Sequence, residues 1–221
     1  PGTPAGTYTI AYEICEKLNP TNCATSTVTV VVDAAPIAAS ADAPAPVNGK
    51  LGGNDVIDAF ANDMLNGVAV ALDKITTTVT SPAVAINGGP VPLLDPATGL
   101  VDVPAGTPAG SYSIGYQICE TLNPGNCSNA AITVVVTAAP IAAGADTPAS
   151  INGATGNPSV INAFANDTLN NAPVNLADVN VRIVTPATNP GVALDLATGN
   201  VSVAPGTPAG TYTIAYEICE K

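Results

Sequence analysis

Hydrophobic and polar residues alternate along several stretches of the chain. In TYTIAYEIC, the side chains of Tyr8, Ile10, Tyr12 and Ile14 share one face of an extended chain. The residues between them, mostly threonine, alanine and glutamate, share the other face. A period of two residues is typical of a strand with one buried face, so this segment predicts a half-buried β-strand.

A second strand follows after a short loop. Residues 26–32 are rich in β-branched side chains, and the loop before them contains Asn-Pro, a turn signal. The two segments predict an antiparallel hairpin. The stretch 59–65 is the only helix-like one, and it is short and polar. Further strands are expected at residues 68–72, 75–80, 91–94, 100–103, 174–176, 179–184, 192–194 and 200–203.

The chain is internally repeated. Residues 1–17 and 205–221 are identical, and residues 105–121 are a near copy of both. The equivalent tyrosines Tyr8 and Tyr112 are 104 residues apart. This period is too long for a solenoid repeat and fits one whole domain per repeat.

The five cysteines follow the repeat. Cys15 and Cys23 flank the Asn-Pro loop of one hairpin, and Cys119 and Cys127 flank its near copy. Cys219 starts a third pair, whose partner is expected beyond the end of this sequence. A hairpin brings each pair within bridging distance. A reduced pair or two metal ligands are the alternatives, but no histidine exists to complete a zinc site, so disulfides and an oxidising, extracellular setting are favoured.

Composition excludes several classes of function. Five basic residues against 17 acidic ones give a net charge of −12, which disfavours binding to nucleic acid or an anionic membrane. No apolar run approaches the ~20 residues of a membrane-spanning helix. The absence of histidine removes the usual base for a serine or cysteine nucleophile, so we expect no enzyme.

The motifs of each repeat resemble a known family. The run AFANDxLN is followed by TGxVxV, then GTPAGxYxIxYxIC and a final TVTVVV strand. This order resembles the Ig-like or cadherin-like tandem repeats of giant bacterial surface proteins, which often carry a VLAND-like motif. Here that motif is FAND, at residues 60–63 and 164–167. The resemblance implies stalks or fibres that hold adhesive domains away from the cell.

We therefore predict an all-β fold of tandem Ig-like antiparallel β-sandwich domains in an extended array, each with a disulfide-clipped C-terminal hairpin. Many short strands separated by frequent turn signals favour sandwiches. Residues 1–33 are expected to be the C-terminal part of a preceding repeat. Residues 34–137 would form a complete repeat, and residues 138–221 a repeat truncated before its last strand.

Acidic residues that recur in both repeats are weak candidates for calcium ligands. Calcium takes six to eight oxygen ligands, often from Asp, Asn and backbone carbonyls. The alternative is that each Asn-Asp pair caps a turn by bonding its own backbone. The candidate ligands are Asp42, Asp63, Asp146 and Asp167.

The expected function is structural: an extracellular repeat protein that forms a fibre or stalk on a bacterial surface. The alternative is a set of ligand-binding adhesin repeats that recognise a glycan or a surface, with calcium stiffening them. The expected partners are neighbouring copies of the protein, joined covalently in tandem or by strand addition between chains. In the second case, residues 18–32 of one chain would complete the open sandwich of another.

Overall fold

A computed structural model describes residues 2–221 of the chain. The chain divides into two compact units, Pro1–Ala138 and Ala139–Lys221. Both are built from β-strands, with one short 3-10 turn at Leu72–Lys74. The predicted all-β class is confirmed.

The first unit contains a separate two-stranded hairpin. Strands β1 (Gly6–Cys15) and β2 (Cys23–Val32) pair antiparallel, and Cys15 lies opposite Cys23. The expectation of a buried apolar face is wrong for this copy, because no second sheet of the described first unit covers it. The exposed side chains of that face include Tyr8, Ile10, Tyr12, Ile14, Val28 and Val30.

The rest of the first unit is a β-sandwich, here called the first sandwich. Its strands are β3 (Ile37–Ala38), β4 (Val47–Asn48), β5 (Gly53–Asp58), β6 (Met64–Leu65), β7 (Val68–Ala69), β8 (Ile75–Ser81), β9 (Leu93–Leu94), β10 (Leu100–Val103), β11 (Gly110–Glu120) and β12 (Cys127–Thr137). One sheet has the order β4-β12-β11-β8, and two smaller sheets have the orders β5-β10-β9 and β3-β6-β7. Neighbouring strands are antiparallel except β4 and β12, which form a short parallel pair.

The core of the first sandwich lies between these sheets. Alternate residues of β11 point into it, as their period of two predicts. Strand β12, the neighbour of β11 in the same sheet, contributes two valines and an isoleucine, and β10 of another sheet contributes two valines. The buried residues of these three strands are Val101, Val103, Tyr112, Ile114, Tyr116, Ile118, Ile132, Val134 and Val136.

The second unit, here called the second sandwich, repeats most of this plan. Its strands are β13 (Ile141–Ala142), β14 (Asn157–Asn162), β15 (Thr168–Leu169), β16 (Ala172–Pro173), β17 (Val179–Thr185), β18 (Val192–Leu194), β19 (Asn200–Val203) and β20 (Ala215–Glu220). The sheets have the orders β13-β15-β16, β14-β19-β18 and β17-β20. Within residues 139–221, β4 and β12 have no counterparts.

Strand β20 is shorter than its counterpart β11. The residues that match the first half of β11, from Thr211 to Ile214, form no strand although their sequence is nearly the same. In β11 these residues pair with β12, whereas in the second sandwich they have no strand to bond with. Without a neighbouring strand, the backbone N–H and C=O groups of these residues cannot form the hydrogen bonds of a sheet, which explains why β20 is shorter than β11.

Some strands differ from those the pattern predicts. The stretch 59–65 is a turn followed by β6, not a helix. Residues 174–176 form no strand, and the pairing lies two residues earlier, in β16. Strands β5 and β14 are not anticipated, because the Gly, Asn and Asp residues of β5 and the Asn, Pro and Ser residues of β14 are typical of turns.

The repeated tyrosine of GTPAGxY makes the same hydrogen bond in all three copies. The hydroxyl of Tyr112 donates to the carbonyl oxygen of Pro108 at 2.7 Å. The hydroxyl of Tyr8 donates to the carbonyl oxygen of Pro4, and the hydroxyl of Tyr212 donates to that of Pro208, each at 2.9 Å. This arrangement, a tyrosine corner, is a feature of Ig-like sandwiches, where it fixes the entry into a central strand.

We expect Tyr112→Phe to lower the free energy of unfolding of the first sandwich by about 1 kcal/mol, because the Pro108 carbonyl loses its buried donor. Urea unfolding followed by circular dichroism measures the shift. Tyr8→Phe is the matched control, since Tyr8 is exposed and water can replace its bond. Equal effects of the two substitutions would contradict the assignment of a structural role to this bond.

Candidate functional site

The four candidate calcium ligands come together in two pairs, each around the hydroxyl of a tyrosine. In the first sandwich, the hydroxyl oxygen of Tyr116 lies 3.1 Å from the backbone oxygens of Ser40 and Ala59. It also lies 3.1 and 3.2 Å from the carboxylate oxygens of Asp63 and 3.4 Å from Asp42. Tyr116 and Asp63 are fully buried. We call this set the tyrosine–aspartate cluster.

Both carboxylates of the cluster have further hydrogen bonds. The backbone N–H of Ser40 donates to Asp63 at 2.7 Å, and the side-chain amide of Asn62 donates to Asp42 at 3.0 Å. The Asn-Asp pair therefore binds residues about 20 positions earlier in the chain and does not cap its own turn through Asp63. The alternative interpretation made from the sequence is wrong for this residue.

The second sandwich has the same cluster around Tyr216. Its hydroxyl oxygen lies 2.8 Å from the backbone oxygen of Ala163, 3.1 Å from both carboxylate oxygens of Asp167 and 3.5 Å from Asp146. The backbone N–H of Gly144 donates to Asp167 at 2.8 Å. The cluster is thus a property of the repeat rather than of one copy.

The FAND turn is held in place by a second repeated turn. The Ala59 N–H donates to the Gly99 carbonyl at 2.8 Å, and the Phe60 N–H donates to the Asp58 side chain at 2.9 Å. Gly99 has a φ of +81°, and a Cβ at this position would lie 2.5 Å from the Phe60 ring. Only glycine suits that conformation and that contact.

Burial sets the protonation of the cluster. Desolvation, followed by the negative charge of Asp63, raises the pKa of Asp42 to about 6. Desolvation also raises the pKa of Asp63. Burial and the neighbouring carboxylates raise the pKa of Tyr116 as well, so its hydroxyl keeps its proton and donates to a carboxylate.

In this structure the oxygens of the cluster are arranged around the Tyr116 hydroxyl. Calcium requires six to eight oxygens at 2.3–2.6 Å around the ion. The Tyr116 hydroxyl lies among the oxygens that would have to surround the ion, and it supplies the hydrogen bond that a carboxylate here needs. The hydrogen bonds of the cluster connect the FAND turn, residues 40–42 and β11.

Two disulfides close the hairpins. Cys15 is bonded to Cys23 and Cys119 to Cys127, and in each pair the Cα atoms are 4.1 Å apart. The Cys119 loop is ordered by the Glu120 side chain, which accepts hydrogen bonds from Asn123 and Asn126 at 2.8 and 2.9 Å.

The remaining cysteine, Cys219, is an exposed free thiol. Among residues 2–221, a further group with the spacing of metal ligands is Glu13 with Cys15 and Cys23. Those two sulfur atoms are bonded to each other, so neither is a thiolate that could bind a metal.

The sequence alone did not identify the tyrosines at the centre of the clusters. The recurrence of the aspartates in both repeats points to Asp42, Asp63, Asp146 and Asp167, and the structure places each pair together. The second tyrosine of YxIxY also recurs, but its position on the buried face of a strand suggests only packing. Its link to acids more than 50 residues away is created by the fold.

Comparisons with known proteins give only distant likenesses. No protein-family model and no curated protein matches the chain. Among solved structures, protocadherin gammaB7 EC3-6 is 14% identical with a TM-score of 0.34, over 97% of this chain and 55% of the other. Drosophila N-cadherin EC1-3 is 16% identical with a TM-score of 0.39, over 83% and 58%. The human desmocollin-1 ectodomain is 8% identical with a TM-score of 0.29, over 89% and 40%.

The chain thus spans about half the length of the solved chains it matches. At these TM-scores the likeness defines neither a family nor a ligand. The fold and the repeated cluster themselves define a tandem β-sandwich protein with disulfide-closed hairpins. In the described part of the chain, no helix is long and apolar enough to span a membrane.

The pKa of Asp42 predicts a pH-dependent stability. Between pH ~4 and ~6 the folded state holds a proton that the unfolded state releases, so this residue's contribution falls as the pH rises through that range. Asp42→Asn cannot ionise, so we expect it to gain stability relative to the wild type between pH 4 and pH 7. Urea unfolding of both proteins across this range measures the difference.

Asp95→Asn is the matched control for the pH experiment. The backbone N–H of Ala97 and the Thr98 hydroxyl lower the pKa of Asp95, so its contribution is present above pH ~4 and lost only in more acidic solution. The difference between wild type and this variant should stay constant from pH 5 to pH 7. A constant difference for Asp42→Asn as well would refute the assigned protonation of the cluster.

Removing the Cys119–Cys127 disulfide should destabilise the first sandwich. Closing a loop of nine residues lowers the entropy of the unfolded chain by the equivalent of about 2.6 kcal/mol. We expect the double substitution of both cysteines by alanine to cost about that amount in urea unfolding. The same substitution of Cys15 and Cys23 is the control, since that hairpin lies outside the sandwich; an equal cost would contradict the prediction.

Proposed function

We propose that the chain belongs to an extracellular structural repeat protein, whose tandem sandwiches form a fibre or stalk on a bacterial surface. The observation that carries this proposal is the repetition of one buried design. The tyrosine–aspartate cluster, the tyrosine corner and the disulfide hairpin sequence recur from copy to copy. Repetition of buried structural features is expected when the repeats themselves carry the structural function.

The chemistry of the repeated acids supports a structural role. A ligand-binding repeat would keep its recurring polar groups accessible, but Asp63 and Asp167 are fully buried. Their oxygens are occupied by hydrogen bonds from within the same sandwich. We therefore assign these residues to stability, and we assign no catalytic activity to the repeat.

The placement of the disulfides fits a mechanical function. Strand β11 is central in its sheet, between β12 and β8, so a force that pulls on β11 acts on the hydrogen bonds to both neighbouring strands. The Cys119–Cys127 bond closes the loop end of the β11–β12 pair and prevents unzipping from that end. Disulfides persist in oxidising surroundings, which supports an extracellular location.

We also propose the domain division that the repeat suggests. Residues 1–33 would be the C-terminal part of a preceding repeat, residues 34–137 a complete repeat, and residues 138–221 a repeat that requires one more strand. The two sandwiches and the separate hairpin β1–β2 support this division. The net charge of −12 would keep neighbouring arrays apart at low salt.

Electron microscopy of the intact native protein, at a resolution that separates single sandwiches, tests the proposed function. We expect continuous filaments of uniform width, or stalks, built from repeated sandwiches at the cell surface. A glycan array probed with the 221-residue chain tests the adhesin alternative. Saturable binding to a defined glycan, lost after substitution of surface residues but not of the clusters, would overturn the structural assignment.

A further inference from the structure

The loop between Cys119 and Cys127, here called the disulfide loop, binds the chain that leads into the first sandwich. Residues 33–36 join β2 to β3, and we call them the linker. The side-chain amide of Asn126 donates to the carbonyl oxygen of Ala35 at 2.7 Å, although the two residues are 91 positions apart. The backbone N–H of Ala35 donates to the Glu120 carboxylate. Both polar groups of this linker residue are therefore held by the disulfide loop.

The disulfide loop also contacts the hairpin β1–β2. The backbone N–H of Ala5 donates to the side-chain oxygen of Asn123 at 2.6 Å. Ala5 lies in the Pro-Ala-Gly turn at the start of β1, where the hydroxyl of Tyr8 donates to the Pro4 carbonyl. The loop thus bonds both to the hairpin and to the linker that joins this hairpin to the first sandwich.

The shape of the disulfide loop is set by hydrogen bonds within the loop. Glu120 accepts from one N–H of Asn123 and one of Asn126. This leaves the Asn123 oxygen and the second N–H of Asn126 to bond outward. The loop of the hairpin has the same internal bond, because Glu16 accepts from the Asn22 side chain at 3.0 Å. The groups that bind the linker and the turn are therefore held in place within the loop itself.

The second sandwich holds its own linker in a similar way. The N–H of Ala139, the equivalent of Ala35, donates to the Glu220 carboxylate at 3.3 Å. In both sandwiches the next residue, a proline, accepts a backbone hydrogen bond at 2.7 Å. These bonds run from the N–H of Asn66 to Pro36 and from that of Asn170 to Pro140. Anchoring of the linker is thus a property of the repeat.

The Pro-Ala-Gly turn also recurs with the same geometry. The φ angles of Gly6 and Gly110 are 157° and 159°, and both turns form the tyrosine corner. In the first sandwich this turn lies at the start of β11, and the disulfide loop follows its end. One repeat therefore carries the turn and the loop at opposite ends of the same strand, which suits a head-to-tail contact between successive repeats.

We propose that the disulfide loop is the docking surface for the preceding repeat, in which Asn123 binds the turn and Glu120 and Asn126 hold the linker. The partner is a second copy of the repeat, and the hairpin β1–β2 is its docked part. Because Glu120 already fixes both asparagines, docking immobilises few further side chains. This inference deepens the proposed structural role, on which it rests, by naming the surface that stiffens the array.

Residual dipolar couplings of the whole 221-residue chain test the docking without any substitution. The backbone N–H couplings of β1 and β2 are compared with those of β8, β11 and β12. If the hairpin is docked, we expect both sets to fit one alignment tensor of the same magnitude. A separate or markedly smaller tensor for the hairpin would show that it moves independently, and would overturn the proposal.

Asn123→Ala should release the turn. We expect the Ala5 amide to exchange with solvent about fivefold faster than in the wild type, as for the loss of one neutral hydrogen bond. The couplings of the hairpin should shrink at the same time. Asn19→Ala is the matched control, because Asn19 has the same place in the loop of the hairpin. Equal effects of the two substitutions on Ala5 would refute docking through Asn123.

Asn126→Ala should loosen the linker while the sandwich stays folded. Exchange of the Ala35 amide reports on the linker, and slow exchange of the β11 amides reports on the fold. An Ala35 amide that exchanges as in the wild type would contradict the role of Asn126. Filaments or stalks in micrographs of the native protein would still support the proposed function if the hairpin moved independently, so the two proposals can fail separately.

Discussion

Full burial of the first sandwich depends on the pairing between the strand that carries the repeated tyrosines, β11, and the strand that follows it, β12. The three copies show this strand in three surroundings. In the isolated hairpin Ile10 is 60% exposed, and in the second sandwich its equivalent Ile214 is half-buried. In the first sandwich, where both β12 and β8 flank β11, Ile114 is 1% exposed. The alternating pattern is buried along its whole length only in the copy where both neighbours are present.

In the first sandwich the polar cluster is also linked to β12. The backbone of Asp42 bonds to β12 on both sides, accepting from the Thr133 N–H at 2.8 Å and donating to the Ala131 carbonyl at 3.1 Å. This holds the Asp42 carboxylate in the interior, beside Tyr116. In the second sandwich no such strand covers Asp146, which is only partly buried. Desolvation raises the pKa of Asp146 as well as that of Asp42, so β12 adds to the burial of Asp42 but is not required for the direction of the shift.

Local sequence patterns predicted the features that depend on interactions between residues close together in the chain. A period of two residues located β11 and β12, and cysteines that flank an Asn-Pro turn must face each other once the hairpin forms. Strand β5 was missed because its Gly, Asn and Asp residues favour turns, and only pairing with β10 holds it extended. The clusters were half predicted: recurrence selected the aspartates, but nothing near Tyr116 in the sequence indicates that its hydroxyl meets them.

Identity between repeats creates a problem of pairing that the disulfides resolve. Strands such as β2 and β12 could each pair with any copy of the tyrosine strand, and near-identical neighbours are prone to exchange. Once Cys119 is bonded to Cys127, β12 cannot leave β11 for long, because the closed loop returns it to the same register. The Cys15–Cys23 hairpin is held in the same way, but its valine face has no core to retain it.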